Sequence, residues 1–175
     1  MPASDDLELI DPSFDLPSRV ADQNGKYLPV LALEPFVAVV RVRDIRNGLT
    51  PDGKWIRSNA AADVLEVLKG DSPDLAPFIA KGVIAIDWPG GSVVVDGRTV
   101  NARPASLRLL KRGQSYLVFG HVADGALRIG ASAVYEVFNG SALKSLTDTR
   151  PQDQREDETL EDVRSYARAS VRGQR

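Results

Sequence analysis

The chain of 175 residues contains no cysteine. Disulfides, thiolate-bound zinc, iron–sulfur clusters and thiol catalysis are excluded together. A single histidine, His121, rules out a histidine-rich metal site, though not an all-carboxylate calcium site. There is no excess of positive charge: 22 Lys and Arg stand against 24 Asp and Glu, for a net charge of −2. That disfavours a nucleic-acid partner, which normally meets a basic face. Aromatic residues make up only 6%. No apolar run reaches the roughly 18–20 residues of a membrane helix. The opening MPASDDLELI is acidic and lacks the basic start and apolar core of a signal peptide. Two locations stay open: the cytoplasm, or export with a leader removed.

What is present is strand-like. The apolar fraction of 43% suits one well-buried domain. The run Tyr116-Leu117-Val118-Phe119, within the stretch Leu110 to Val122, is apolar on both faces. It predicts a strand covered on both sides at the centre of a sheet or in a barrel. Phe36 to Ile45 is a second strand, with Arg41 and Arg43 sharing one face of its alternating end. Residues 58–68 fit helix or strand, and strand is favoured. Val83 to Trp88 alternates so that Ile84, Ile86 and Trp88 point inward and Asp87 outward. Tyr27 to Leu33 reads as a short run, able to form a hairpin with the next.

Turn chemistry punctuates these runs. Asp96-Gly97 and Asp124-Gly125 are two-residue hairpin signals, and Asn139-Gly140 ends another run. Asn47-Gly48 and Pro51-Asp52-Gly53 mark a loop. Ser72 and Gly82 bracket one or two helical turns. Thr159-Leu160-Glu161-Asp162 resembles a capping box opening a helix with the stripe Leu160, Val163, Ala167 and Val171. Frequent turns between many short strands predict an all-β barrel or sandwich with a C-terminal α-helix. The expected organisation is an extended N-terminal arm (1–19), a β domain (20–146), a charged linker (147–158) and the helix (159–172).

An ordered set of features resembles a known family. Strand Phe36–Ile45 is followed by Val64-Leu65-Glu66-Val67-Leu68-Lys69-Gly70-Asp71, then Pro89-Gly90-Gly91, Asp96-Gly97-Arg98 and Gly113-Gln114-Ser115-Tyr116-Leu117-Val118-Phe119. Over residues 36–140 this is similar to bacterial exported domains of unassigned function, whose OB-like barrel resembles the netrin/tissue-inhibitor-of-metalloproteinase module. The resemblance implies a Greek-key β-barrel of five to six strands and a periplasmic or extracellular location. It carries no catalytic residues across. The inhibitors of that type reach a metal with an N-terminal cysteine, which this chain lacks.

Candidate sites are few. His121 could act as an acid or base, but no nucleophile motif or second histidine supports it. Among Asp87, Asp96, Asp124 and Glu136, the second and third belong to turns. Gly90-Gly91 lacks the context of a phosphate-cradling loop. Arg41, Arg43 and Arg46 near Trp55 could form a stacking and charge face on an OB-like barrel. Trp55 and Trp88 become markers of a binding surface if exposed. The expectation is therefore a non-catalytic binding or interaction module of the bacterial cell envelope, without cofactor, metal or catalytic residue. Its candidate ligand-binding residues are Arg41, Arg43, Trp55, Asp87 and Trp88, and its partner is a protein or an envelope ligand. The alternatives are an oligonucleotide- or glycan-binding barrel, and a hydrolase using Asp87 or His121.

Overall fold

The computed structural model describes residues 6–11, 20–147 and 155–172. In chain order these form β1 (Leu7–Asp11), α1 (Leu28–Leu31), β2 (Phe36–Leu49) and β3 (Ile56–Lys69). A 3-10 turn (Pro73–Leu75) runs into α2 (Ala76–Lys81). Then come β4 (Val83–Pro89), β5 (Gly91–Val95), β6 (Arg98–Pro104), β7 (Ser115–Ala123) and β8 (Ala126–Phe138). The chain closes with β9 (Ala142–Ser145), β10 (Arg155–Thr159) and α3 (Leu160–Arg172). No helix among the described residues is long and apolar enough to cross a membrane.

The larger sheet has seven strands in the order β10-β9-β8-β7-β2-β3-β4, each antiparallel to its neighbours. β7 is the middle strand, as its two apolar faces predict. Alternation along β2 explains how both of its faces are buried. Phe36, Ala38, Val40 and Val42 join a core with Ala60, Ile84, Ile86, Trp88, Tyr116 and Val118. Val37 and Val39 join a second core with Leu117, Phe119 and Tyr135, covered by Leu28 of α1 and by Leu160 and Val163 of α3. Phe119 and Tyr135 meet edge to face at 6.2 Å, a favoured aromatic geometry.

The first core also takes in Leu127, Ile129 and Ala131 of β8. The sheet curls around it until β4 and the first half of β8 approach each other. No ladder joins them. The expected barrel of five to six strands is therefore corrected: among the described residues there are ten strands in two sheets, neither closed. The larger sheet continues past β8 into β9 and β10, so β8 is not its last strand. Beyond β4, Gly90 and Gly91, with φ of +96° and +146°, divert the chain out of the sheet. β5 and β6 then form the second sheet with β1.

Four further expectations change. The run around Leu28 is a helical turn, not a strand. Pro29 lies at the start of that turn, where its missing N–H is no loss, and Leu28 and Ala32 are buried one turn apart. Asn47-Gly48 lies within β2, and the turn comes only at Pro51-Asp52-Gly53. Residues 7–11 of the N-terminal arm pair in parallel with β6. Of the charged linker, residues 148–154 lie outside the described residues, and Arg155–Thr159 forms the edge strand β10.

Residues 58–68 are strand throughout. At α3 the cap is formed as expected: the Thr159 N–H donates to Asp162 Oδ2 at 2.8 Å, and the Asp162 N–H donates to Thr159 Oγ1 at 3.5 Å.

Candidate functional site

The backbone of β4 defines one wall of a groove. The Gly90 N–H donates to the Ile56 carbonyl at 2.8 Å, and the Val64 N–H to the Gly82 carbonyl at 2.8 Å. These bonds lie at the two ends of the β3–β4 register, which pairs Ser58 with Trp88 and Ala62 with Ile84. Antiparallel partners alternate between bonded and non-bonded pairs. The even-numbered residues of β4 therefore bond to β3. Val83, Ala85 and Asp87 point their N–H and C=O groups away from it, along the open edge. Pro89 follows on the same edge, where a proline is tolerated.

The opposite wall is the first half of β8. Asp124 and Gly125, both at positive φ (51° and 73°), make a two-residue hairpin, which closes on a bonded pair at Ala123 and Ala126. Leu127 and Ile129 consequently turn their backbone groups away from β7. β9 pairs only with Tyr135–Phe138, so this edge too is unpaired among the described residues.

Between the walls lies a groove of about 550 Å³. Its apolar lining comes from Ala85, Pro89, Leu127 and Ile129, and its polar groups are Arg57, Asn59, Asp87 and Arg128. Arg57 forks onto Asp87, with Nε–Oδ1 at 3.2 Å and Nη2–Oδ2 at 2.7 Å. The exposed Arg128 side chain has no hydrogen-bond or ionic partner among the described residues. The groove thus holds one matched ion pair and one unmatched cation.

A second groove, of about 330 Å³, is lined by Leu33, Pro35, Lys69, Asp71 and Ser72. Lys69 is buried there and donates to the carbonyls of Ala32 at 3.2 Å and Leu33 at 3.3 Å. Burial pushes its ammonium below the ordinary lysine range. It serves the carbonyls just beyond α1, a structural task.

The five candidate ligand-binding residues do not converge. Asp87 lines the groove. Trp88, next to it, is fully buried and donates its indole N–H to the Arg108 carbonyl at 3.0 Å. Arg41 and Arg43 are exposed, and Arg43 is bound to Asp63 through Nε at 3.2 Å and through a second, shorter contact from Nη2. That pairing raises the Arg43 pKa and occupies its charge. Arg46 has only a marginal contact, at 4.0 Å, with Asp44, whose main partner is Arg112. Trp55 is half-buried in the β2–β3 connection, and its indole N–H is buried without an acceptor among the described residues.

His121 is exposed, with Nδ1 3.2 Å from Glu34 Oε2. Asp96 and Asp124 occupy left-handed turn positions, and Glu136 pairs with Arg108 at 3.3 Å. Among the described residues no three His, Asp or Glu side chains converge on a metal-sized site.

Arg57, Asn59 and Arg128 are the groove residues that sequence reasoning missed. Alternation along β3 would have put Arg57 and Asn59 on one outer face, but the helix-or-strand ambiguity of residues 58–68 hid it. Nothing local marks Arg128, because β4 and β8 are brought together by the curl of the sheet. No protein-family model matches the chain, and no curated protein sequence matches it.

Proposed function

We propose that this chain is a non-catalytic binding module whose ligand seats in the groove between β4 and β8. The observation that carries this is the groove's composition. An apolar lining is ringed by a few polar side chains, including Arg128, at a place where, among the described residues, that cation is unmatched and two strand edges are unpaired. Small-ligand and peptide sites commonly combine these features. We also read the curled set β8-β7-β2-β3-β4 as OB-like with an open seam. The envelope location is supported by the family resemblance of residues 36–140 alone.

The test is amide chemical-shift mapping of the full ¹⁵N-labelled chain against panels of heptapeptides, oligosaccharides and single-stranded oligonucleotides. The expected result is one class that shifts the amides of residues 83–88 and 126–131. Shifts centred on Arg41, Arg43 and Trp55 would instead favour the oligonucleotide or glycan face. Turnover abolished by Asp87→Ala or His121→Ala would replace the binding reading with a hydrolase.

A further inference from the structure

We infer that the groove takes an extended peptide, which adds to β4 as a new edge strand and sets an acidic side chain against Arg128. This rests on the groove reading above and names its ligand.

The backbone argues for a strand. Val83, Ala85 and Asp87 present three successive outward N–H and C=O pairs with no partner among the described residues. An edge of this kind is a template for another strand, and main-chain pairing is how extended peptides bind such edges. Cα atoms of β4 and β8 approach within 8 Å. A strand lying in the plane between them needs about 9.6 Å, so the occupant bonds to one edge and passes over the outer face of the other. β4 is the better one. It pairs with β3 in an unbroken register, whereas the β7–β8 register shifts between Val118 and Gly120, beyond Ile129.

The side chains then set the pattern of the peptide. Residues turned into the groove meet its apolar lining of Pro89, Leu127 and Ile129, so they are apolar. Residues facing outward lie beside Ala85 and the Arg57–Asp87 pair. Arg57 is already neutralised by Asp87, so the cation left to match is Arg128. Charge complementarity therefore selects a carboxylate. A polyanion is a poorer fit, because among the described residues Arg128 is the one groove cation without a partner.

The experiment screens the full chain against displayed heptapeptides with valine, isoleucine or threonine at alternate positions and glutamate, glutamine or lysine at the centre. Glutamate-centred peptides should be enriched. Arg128→Glu should weaken them about tenfold, the scale of one charge-assisted hydrogen bond, and should switch the preference to lysine. N-methylating the amides in one alternate register of an enriched peptide should abolish binding, while the other register should tolerate it. Ala85→Pro removes an outward N–H without touching the β3 ladder and should weaken binding similarly. The N-methyl pair tests the same contact if that variant does not fold.

Peptides that bind equally in both N-methyl registers would overturn strand addition, as would a library with no enriched member. Self-association of the chain through β4 in sedimentation would overturn it in favour of a second copy. A sugar or oligonucleotide mapping to residues 83–88 and 126–131 would remove the peptide and leave the groove reading standing. Shifts confined elsewhere would remove both.

Discussion

The guanidinium of Arg57 on β3 and the carboxylate of Asp87 on β4 face each other as a fork, joined by hydrogen bonds of 3.2 and 2.7 Å at the lip of the groove. Their side chains are 45% and 62% exposed. An exposed pair of this kind contributes about 0–1 kcal/mol to stability. Asp87→Ala should therefore leave urea unfolding nearly unchanged. It also frees Arg57, so affinity for an acidic peptide should rise. A fall in affinity would mean that Asp87 itself touches the ligand.

Trp88 tests the boundary between groove and core. It is fully buried and its N–H satisfies the Arg108 carbonyl. Trp88→Ala should cost about 3–5 kcal/mol, the range for large aromatic truncations, measured by urea denaturation. Trp88→Phe should cost less and leave groove binding intact. Loss of binding in Trp88→Phe at unchanged stability would place Trp88 in the ligand site.

The C-terminal helix belongs to its own sheet. Leu160, Val163 and Ala167 are buried, and Arg164 reaches Glu66 on β3 at 2.9 and 2.7 Å. Leu160→Ala should cost about 2–5 kcal/mol and Arg164→Ala about 1 kcal/mol or less. A chain ending at Thr147 would uncover Val37, Val39, Leu117 and Phe119, and should bind a hydrophobic dye and aggregate in size-exclusion chromatography. An unchanged melting temperature for that chain would instead make α3 a device for partners.

Tyr116 predicts an alkaline transition. It is 1% exposed, and burial pushes its hydroxyl from 10.0 up to about 12, against the weaker opposing effect of the Lys111 N–H donated to it. The folded value lies above the unfolded one. The contribution is therefore complete below pH 10 and is lost as pH rises from 10 to 12. Two units correspond to about 3 kcal/mol. Tyr166 titrates in the same direction, raised to about 12 chiefly by its hydrogen bond to Glu158. Stability measured by urea at pH 9 and pH 12 should show the drop. Tyr116→Phe should flatten the slope, at the cost of the acceptor for Lys111.

Local chemistry in the sequence determined the punctuation of this fold. Asp96-Gly97, Asp124-Gly125 and Asn139-Gly140 all take positive φ, because Gly, Asn and Asp enter that region at least cost. The inward set Ile84, Ile86 and Trp88 followed from period-two alternation, and the Thr159–Asp162 cap from side-chain reach. The central place of β7 followed from its two apolar faces. Tertiary structure decided what depends on distant partners. Leu28 became helical because its one-turn spacing with Ala32 serves the core beneath α3. Residues 7–11 became a strand because β6 offered an edge. The groove arose because the sheet curls without closing, bringing Arg128 toward Asp87 across 40 residues of sequence. No local pattern encodes that meeting, since it depends on the summed twist of five strands.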